Sequence, residues 1–220
     1  MDNRFQNRVT AGEMLADQVA ALGLDDPVVL ALPRGGVPVA VPVARRLAAP
    51  LDLIMVRKIG VPGHQELAMG AVVDGADPAV VWNTEVVNLI GPSKADRDAA
   101  VARQLDEIAA RRSRYLQGRA PVAVKGRDAV VVDDGIATGA TVRAALKALR
   151  RREPASITLA VPVAPGDTCH ELAALVDHLI CLQSPDPFFA VGAHYVDFRE
   201  TVDDEVIRAL GAGEEAEGDA

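Results

Sequence analysis

The segment that most constrains this chain is Val130-Val131-Val132-Asp133-Asp134-Gly135-Ile136-Ala137-Thr138-Gly139-Ala140-Thr141. Three consecutive valines suit a strand buried on both faces. Two acids end that strand, a short loop containing Gly139 follows, and Thr141 to Arg151 has a helical pattern. A buried strand feeding directly into a helix is the building unit of parallel sheets. Other short apolar runs repeat the theme. Val28 to Leu32 ends in Pro33-Arg34-Gly35-Gly36, and a helix is expected from there through Arg46. Leu51 to Val56 reads as a second strand that reaches Arg57-Lys58. Ser156 to Val163 is a strand, Asp167 to Val176 a helix, and His178 to Leu182 the last strand. The spacing predicts an α/β fold, doubly wound, with a mainly parallel sheet of about five strands.

Thr10-Ala11-Gly12-Glu13 has the spacing of a capping box, and Gly23 offers a stop for the helix it would open. Residues 59–83 are broken by Gly60, Pro62, Gly63, Gly70, Gly75 and Pro78. Within them, Ala71-Val72-Val73 and Ala79-Val80-Val81-Trp82 predict a hairpin or two short strands. Ser93 to Tyr115 predicts one long charged helix.

With 220 residues, half of them apolar, the chain can bury a full core. No apolar run approaches the roughly 18 to 20 residues of a membrane span. Met1-Asp2-Asn3-Arg4-Phe5 has no signal-peptide character. Cys169 and Cys181 form no CxxC pair, so neither zinc nor a disulfide framework is indicated. A cytoplasmic protein without a membrane partner is expected. The net charge is −8, but Glu214, Glu215, Glu217 and Asp219 carry half of it in a Gly/Ala-rich tail. The basic footprint of a dedicated nucleic-acid binder is missing, so nucleic acid is not an expected partner.

The Val130–Thr141 segment also has a chemistry. Gly139 permits positive φ or close backbone approach, and the helix amino end offers free N–H groups with a positive partial charge, which suits a phosphate. Thr138 and Thr141 can add hydroxyl donors. Two carboxylates beside a phosphate cradle repel it unless something else is bound. Vicinal ribose hydroxyls give Asp133 and Asp134 donors to accept from, and Mg²⁺ can neutralise nearby charge. A carboxylate near the sugar would stabilise the positive charge that develops as a C1 substituent leaves. Taken alone, the acidic pair reads as an ordinary turn and Thr138 as an ordinary N-cap.

As a whole the string resembles the phosphoribosyl diphosphate signature of type I phosphoribosyltransferases, with looser similarity over residues 10–210. By that resemblance, Asp133 and Asp134 contact the ribose hydroxyls, and through substrate and water a metal. Ala137, Thr138, Gly139, Ala140 and Thr141 wrap the 5-phosphate. Arg34, Gly35 and Gly36 take the diphosphate, Arg57 and Lys58 bring positive charge to it, and His64 and Glu66 lie in a mobile loop over the substrate. The hypoxanthine/guanine branch has an acidic base at the position of Ala137, so that branch is disfavoured here. The resemblance further implies a small hood subdomain, about 183–200, packed with the N-terminal segment. Phe188, Phe189 and Tyr195 would form its acceptor pocket, or merely its own small core. A single domain spans 1–210 on this view, with a core about 10–182, an insertion at 60–118 and a disordered acidic tail at 211–220. The implied activity is Mg²⁺-dependent transfer of phosphoribosyl from its diphosphate to a nitrogenous acceptor, a nucleobase, by a homodimer. The alternatives are a non-catalytic sensor of phosphoribosyl diphosphate or a nucleotide, and a hydrolase of a phosphorylated sugar, for which no nucleophile triad is visible.

Overall fold

The computed structural model describes residues 3–61, 64–75 and 78–214. Its main sheet is built from β1 (Pro27–Ala31), β2 (Leu51–Leu53), β6 (Asp128–Val132), β7 (Ser156–Val163) and β8 (His178–Gln183). These lie in the order β2-β1-β6-β7-β8, and every neighbouring pair is parallel. Val130, Val131 and Val132 are fully buried, as a strand covered on both faces requires. The chain steps from β1 out to β2 and then returns past β1 to β6. Strand order therefore reverses between β1 and β6, and such a reversal opens a crevice beyond the carboxyl ends of the two strands.

Helices cover both faces. One face carries α1 (Arg8–Ala20) and α2 (Gly36–Leu47), whose core includes Leu15, Val19, Val37 and Val43. The opposite core gathers Val142, Leu146 and Leu149 of α5 (Ala140–Arg150) and Leu172 of α6 (Gly166–Ala173). The first helix does not start with the expected capping box. Asn7 is its N-cap, and the Asn7 side chain accepts from the Thr10 backbone N–H at 3.0 Å. With Asn7 as cap the helix opens three residues before the expected Thr10, whose own N–H is the orphan donor satisfied.

The second expected strand also divides. β2 ends at Leu53, and β3 (Val56–Val61) begins a separate antiparallel sheet with β4 (His64–Val73) and β5 (Ala79–Trp82), in the order β3-β4-β5. The turn between the two sheets is fixed by side chains. The buried Asp74 carboxylate accepts from the Met55 backbone N–H at 2.8 Å, and Arg112 bridges Asp52 and Asp74 at 2.7 Å each. Arg57 and Lys58 consequently lie inside β3 and not at the end of a core strand. The β4–β5 hairpin matches expectation, with Val72 opposite Val80. At both ends of the expected loop over 60–70 the described backbone is paired, Ile59 facing Gly70 and Gly60 facing Ala68. Gly70 does not break β4. It lets β5 approach, since a Cβ there would lie 2.7 Å from the Val81 carbonyl oxygen. Pro62, Gly63 and the side chains of His64 and Glu66 fall outside the described residues.

Helix α3 (Thr84–Ile90) precedes the long α4 (Lys94–Leu116), the helix expected over Ser93 to Tyr115, with Ser93 as its N-cap. The last helix, α7 (Asp203–Glu214), packs against α2 and α4 and runs into the segment read as tail. Near the start of the chain, Phe5 meets the segment that follows β8. Phe5 bridges Tyr195, and Phe5, Tyr195, Phe188 and Phe198 share a small apolar cluster. Among the described residues, no helix is long and apolar enough to cross a membrane.

Candidate phosphate and sugar site

Two loops meet at the crevice. Leu32 donates its backbone N–H to the Val132 carbonyl at 2.9 Å, which holds the loop after β1 against the end of β6. Contact is so close that only glycine fits on the β1 side. A Cβ on Gly36 would lie 3.0 Å from Asp133 Cα, and one on Gly35 would collide with the Asp134 carboxylate. The sequence-predicted diphosphate loop and the acidic pair are therefore neighbours.

Two helices begin at the same crevice. α2 starts from Gly35 and α5 from Gly139, and neither has a side-chain cap or an acid in its first turn. By contrast, α1, α3 and α4 are capped by Asn7, Asn83 and Ser93. Gly139 takes φ 71°, the left-handed region that a residue with Cβ avoids. Thr138, Ala140 and Thr141 are exposed around it, while Ile136 anchors the loop through its N–H to Val163 O at 2.9 Å. The first turn of α5 thus presents free backbone donors and the positive end of a helix dipole to solvent. An anion is the natural occupant.

Between the two helix ends stand the acids. The Asp134 backbone N–H donates to Asp133 Oδ1 at 2.9 Å. Burial pushes the Asp133 carboxyl well above the usual carboxylate range, and the Asp134 charge pushes it further. Burial raises Asp134 too, but Arg8 opposes this with Nε 2.7 Å from Oδ2. The repulsion expected within the pair is thus relieved by the protein itself. Arg8 is held by the Arg199 carbonyl, which accepts from Nη1 at 2.8 Å, and by the face of Phe198, 3.9 Å from ring centroid to guanidinium carbon. The Tyr195 hydroxyl donates to the Asp134 carbonyl at 2.6 Å. Burial and the two carboxylates keep that hydroxyl far above its ordinary pKa, so it stays a donor.

Sequence reasoning missed Arg8. A signal existed: a cation at the first position of a helix faces the unfavourable end of the dipole and needs a separate reason to be there.

Other expected residues are placed differently. Arg34 turns away from the acids, pairs with Glu200, and approaches Asp203 Oδ1 at 3.6 Å. Arg57 pairs with Glu107 of α4, while Lys58, on the opposite side of β3, faces the cavity beside Thr141. Tyr195 is buried in the hood's own cluster, Phe188 stacks on His194 at 5.5 Å, and Phe189 is exposed. These three rings do not line one pocket.

A family model described as the phosphoribosyl transferase domain matches residues 6–197. Two curated proteins of Mycobacterium tuberculosis, from strains CDC 1551 / Oshkosh and ATCC 25618 / H37Rv, are provisionally named phosphoribosyl transferases. Each is 46% identical over 206 residues, covering 94% of this chain and 46% of its own length. The chain therefore spans about half the length of these relatives. The crystal structure of the protein TT1426 from Thermus thermophilus is 43% identical, with a TM-score of 0.81 over 94% of this chain and 97% of that one.

Proposed function

The chain belongs to the phosphoribosyl transferase domain family, and from that premise we propose that it binds 5-phosphoribosyl 1-diphosphate at the β1/β6 crevice and transfers the phosphoribosyl group to a nitrogenous acceptor. One observation carries this reading: two uncapped helix starts flank a pair of half-buried acids at a single reversal of strand order. The α5 start takes the 5-phosphate through the loop from Ala137 to Thr141. The α2 start, with Gly35 and Gly36, receives the diphosphate.

Asp133 and Asp134 accept hydrogen bonds from the ribose 2- and 3-hydroxyls. As the C1–O bond to diphosphate breaks, positive charge spreads over the ring, and the carboxylates stabilise it from below. Arg8 opposes the effect of burial on Asp134 and aims its carboxylate. The two acids also suit Mg²⁺. They would hold it through substrate oxygens and water. Bound there, Mg²⁺ would neutralise charge on the departing diphosphate. No carboxylate stands at Ala137 to deprotonate an acceptor, and this favours acceptors that need no strong base.

Arg34 supports a second reading, a non-catalytic sensor of the same ligand. Its ion pair with Glu200 leaves the diphosphate loop without a free guanidinium. Diphosphate release on mixing the protein with phosphoribosyl diphosphate, Mg²⁺ and a panel of nucleobases separates the two. Release with one base supports the transferase. Tight binding with no release across the panel would leave the sensor.

A further inference from the structure

Next to the 5-phosphate loop, a cavity of about 260 Å³ separates the small antiparallel sheet from α5. Lys58 of β3 and Trp82 of β5 line one wall, and Ala140, Thr141, Arg143 and Lys147 line the other. No acid is among its described lining residues. Arg143 is neutralised by Glu171 at 2.8 Å. Lys58 and Lys147 have no ion pair with any described residue, and both are exposed. Ala140 and Thr141 belong at once to the phosphate loop and to the cavity lining, so the two adjoin.

We infer that this cavity is a subsite for a second phosphoryl group, attached to the 5-phosphate of the ribosyl ligand, so that 5-diphosphorylated ribosyl compounds bind better than 5-monophosphorylated ones. The inference rests on the 5-phosphate site proposed above and extends it. Residues 140, 143, 144 and 147 share one face of α5, and the stretch from Ala140 to Lys147 covers roughly 10 Å at the helical rise. A ligand gripped at the α5 start therefore has a basic wall along which to extend. A cleft lined by one sign of charge concentrates counter-ions, and lysine binds phosphate as a mobile point charge. Among the described residues, these two lysines facing an acid-free hollow have no ion-pair partner. A phosphoryl oxygen would give them one.

The test is calorimetric titration of the full chain with ribose 5-phosphate and with ribose 5-diphosphate. The wild type should prefer the diphosphate by about tenfold, the factor expected for one or two charge-assisted hydrogen bonds. In Lys58→Ala/Lys147→Ala that preference should fall toward one. Both side chains are exposed, so the variant should fold, and circular dichroism verifies this. Equal affinity in the wild type overturns the inference, and so does a preference that survives in the double variant. If neither compound binds, the 5-phosphate reading fails as well. Binding of ribose 5-phosphate without preference sinks the subsite alone.

Discussion

Replacing Gly36 by alanine tests the claim that the two loops form one site. A methyl group there would stand 2.7 Å from the Val132 carbonyl oxygen and 3.0 Å from Asp133 Cα, both backbone atoms. Ordinary contact begins near 3.4 Å, so the loop and the strand end must part by roughly 0.7 Å. Neither can yield by a side-chain rotation. Overpacking of this kind costs ~1–3 kcal/mol. In a chain of this size each kcal/mol lowers Tm by ~2–4 °C, so the melting point should drop by about 2 to 12 °C. The functional loss should be larger than the structural one. A displacement approaching 1 Å at reacting groups costs up to ~100-fold in rate. Thermal melting followed by circular dichroism gives the first number, and diphosphate release gives the second. A variant that melts within about 1 °C of wild type and turns over normally would refute the close apposition of Gly36 and Asp133.

Three more outcomes follow from the same geometry. Arg8→Met removes the counter-charge of Asp134 from a site where both side chains are mostly buried, and breaking such a pair costs ~3–5 kcal/mol. The penalty, read from urea melts, should be smaller at pH 5 than at pH 8, because a protonated Asp134 needs no partner; an equal penalty at both would contradict the pairing. Asp133 has a folded pKa raised by burial, so its contribution to stability is present at acid pH and lost as pH rises through that value. Asp133→Asn should accordingly melt no lower than wild type at neutral pH while binding ribose 5-phosphate more weakly, and titration with ribose 5-phosphate checks this; a lower melting point together with unchanged affinity would contradict it. Gly139→Val places a branched side chain at φ 71°, 3.1 Å from Thr168 Cγ2, and should weaken binding of every 5-phosphorylated ribose at least tenfold; titration with ribose 5-phosphate checks it, and unchanged affinity would mean the loop holds no phosphate.

Legibility in the sequence followed the range of the interactions involved. Strand β7 spans the expected Ser156 to Val163, and α4 the expected helix from Ser93 to Tyr115 to within a residue at each end, because local composition decides the first and the Ser93 cap helps fix the start of the second. The acidic pair and the phosphate loop were likewise contiguous in sequence. The split of Leu51–Val56 between two sheets was not readable, since Met55 is turned by Asp74, 19 residues away. With that turn, which Asp52 and Arg112 also hold, Arg57 and Lys58 fall in β3 and not at the end of a core strand. Arg8 meets Asp134 across 126 residues, and no local pattern encodes such a contact. Helix α3 buries none of its residues, so it carries little of the periodicity by which helices are recognised.

A crystal soaked with phosphoribosyl diphosphate and Mg²⁺ tests the central claim most directly. The account predicts the 5-phosphate on the backbone amides from Thr138 to Thr141 and both ribose hydroxyls on Asp133 and Asp134, with Arg8 still paired to Asp134. Ligand bound away from the β1/β6 crevice, or a ribose whose hydroxyls point away from those acids, would contradict it.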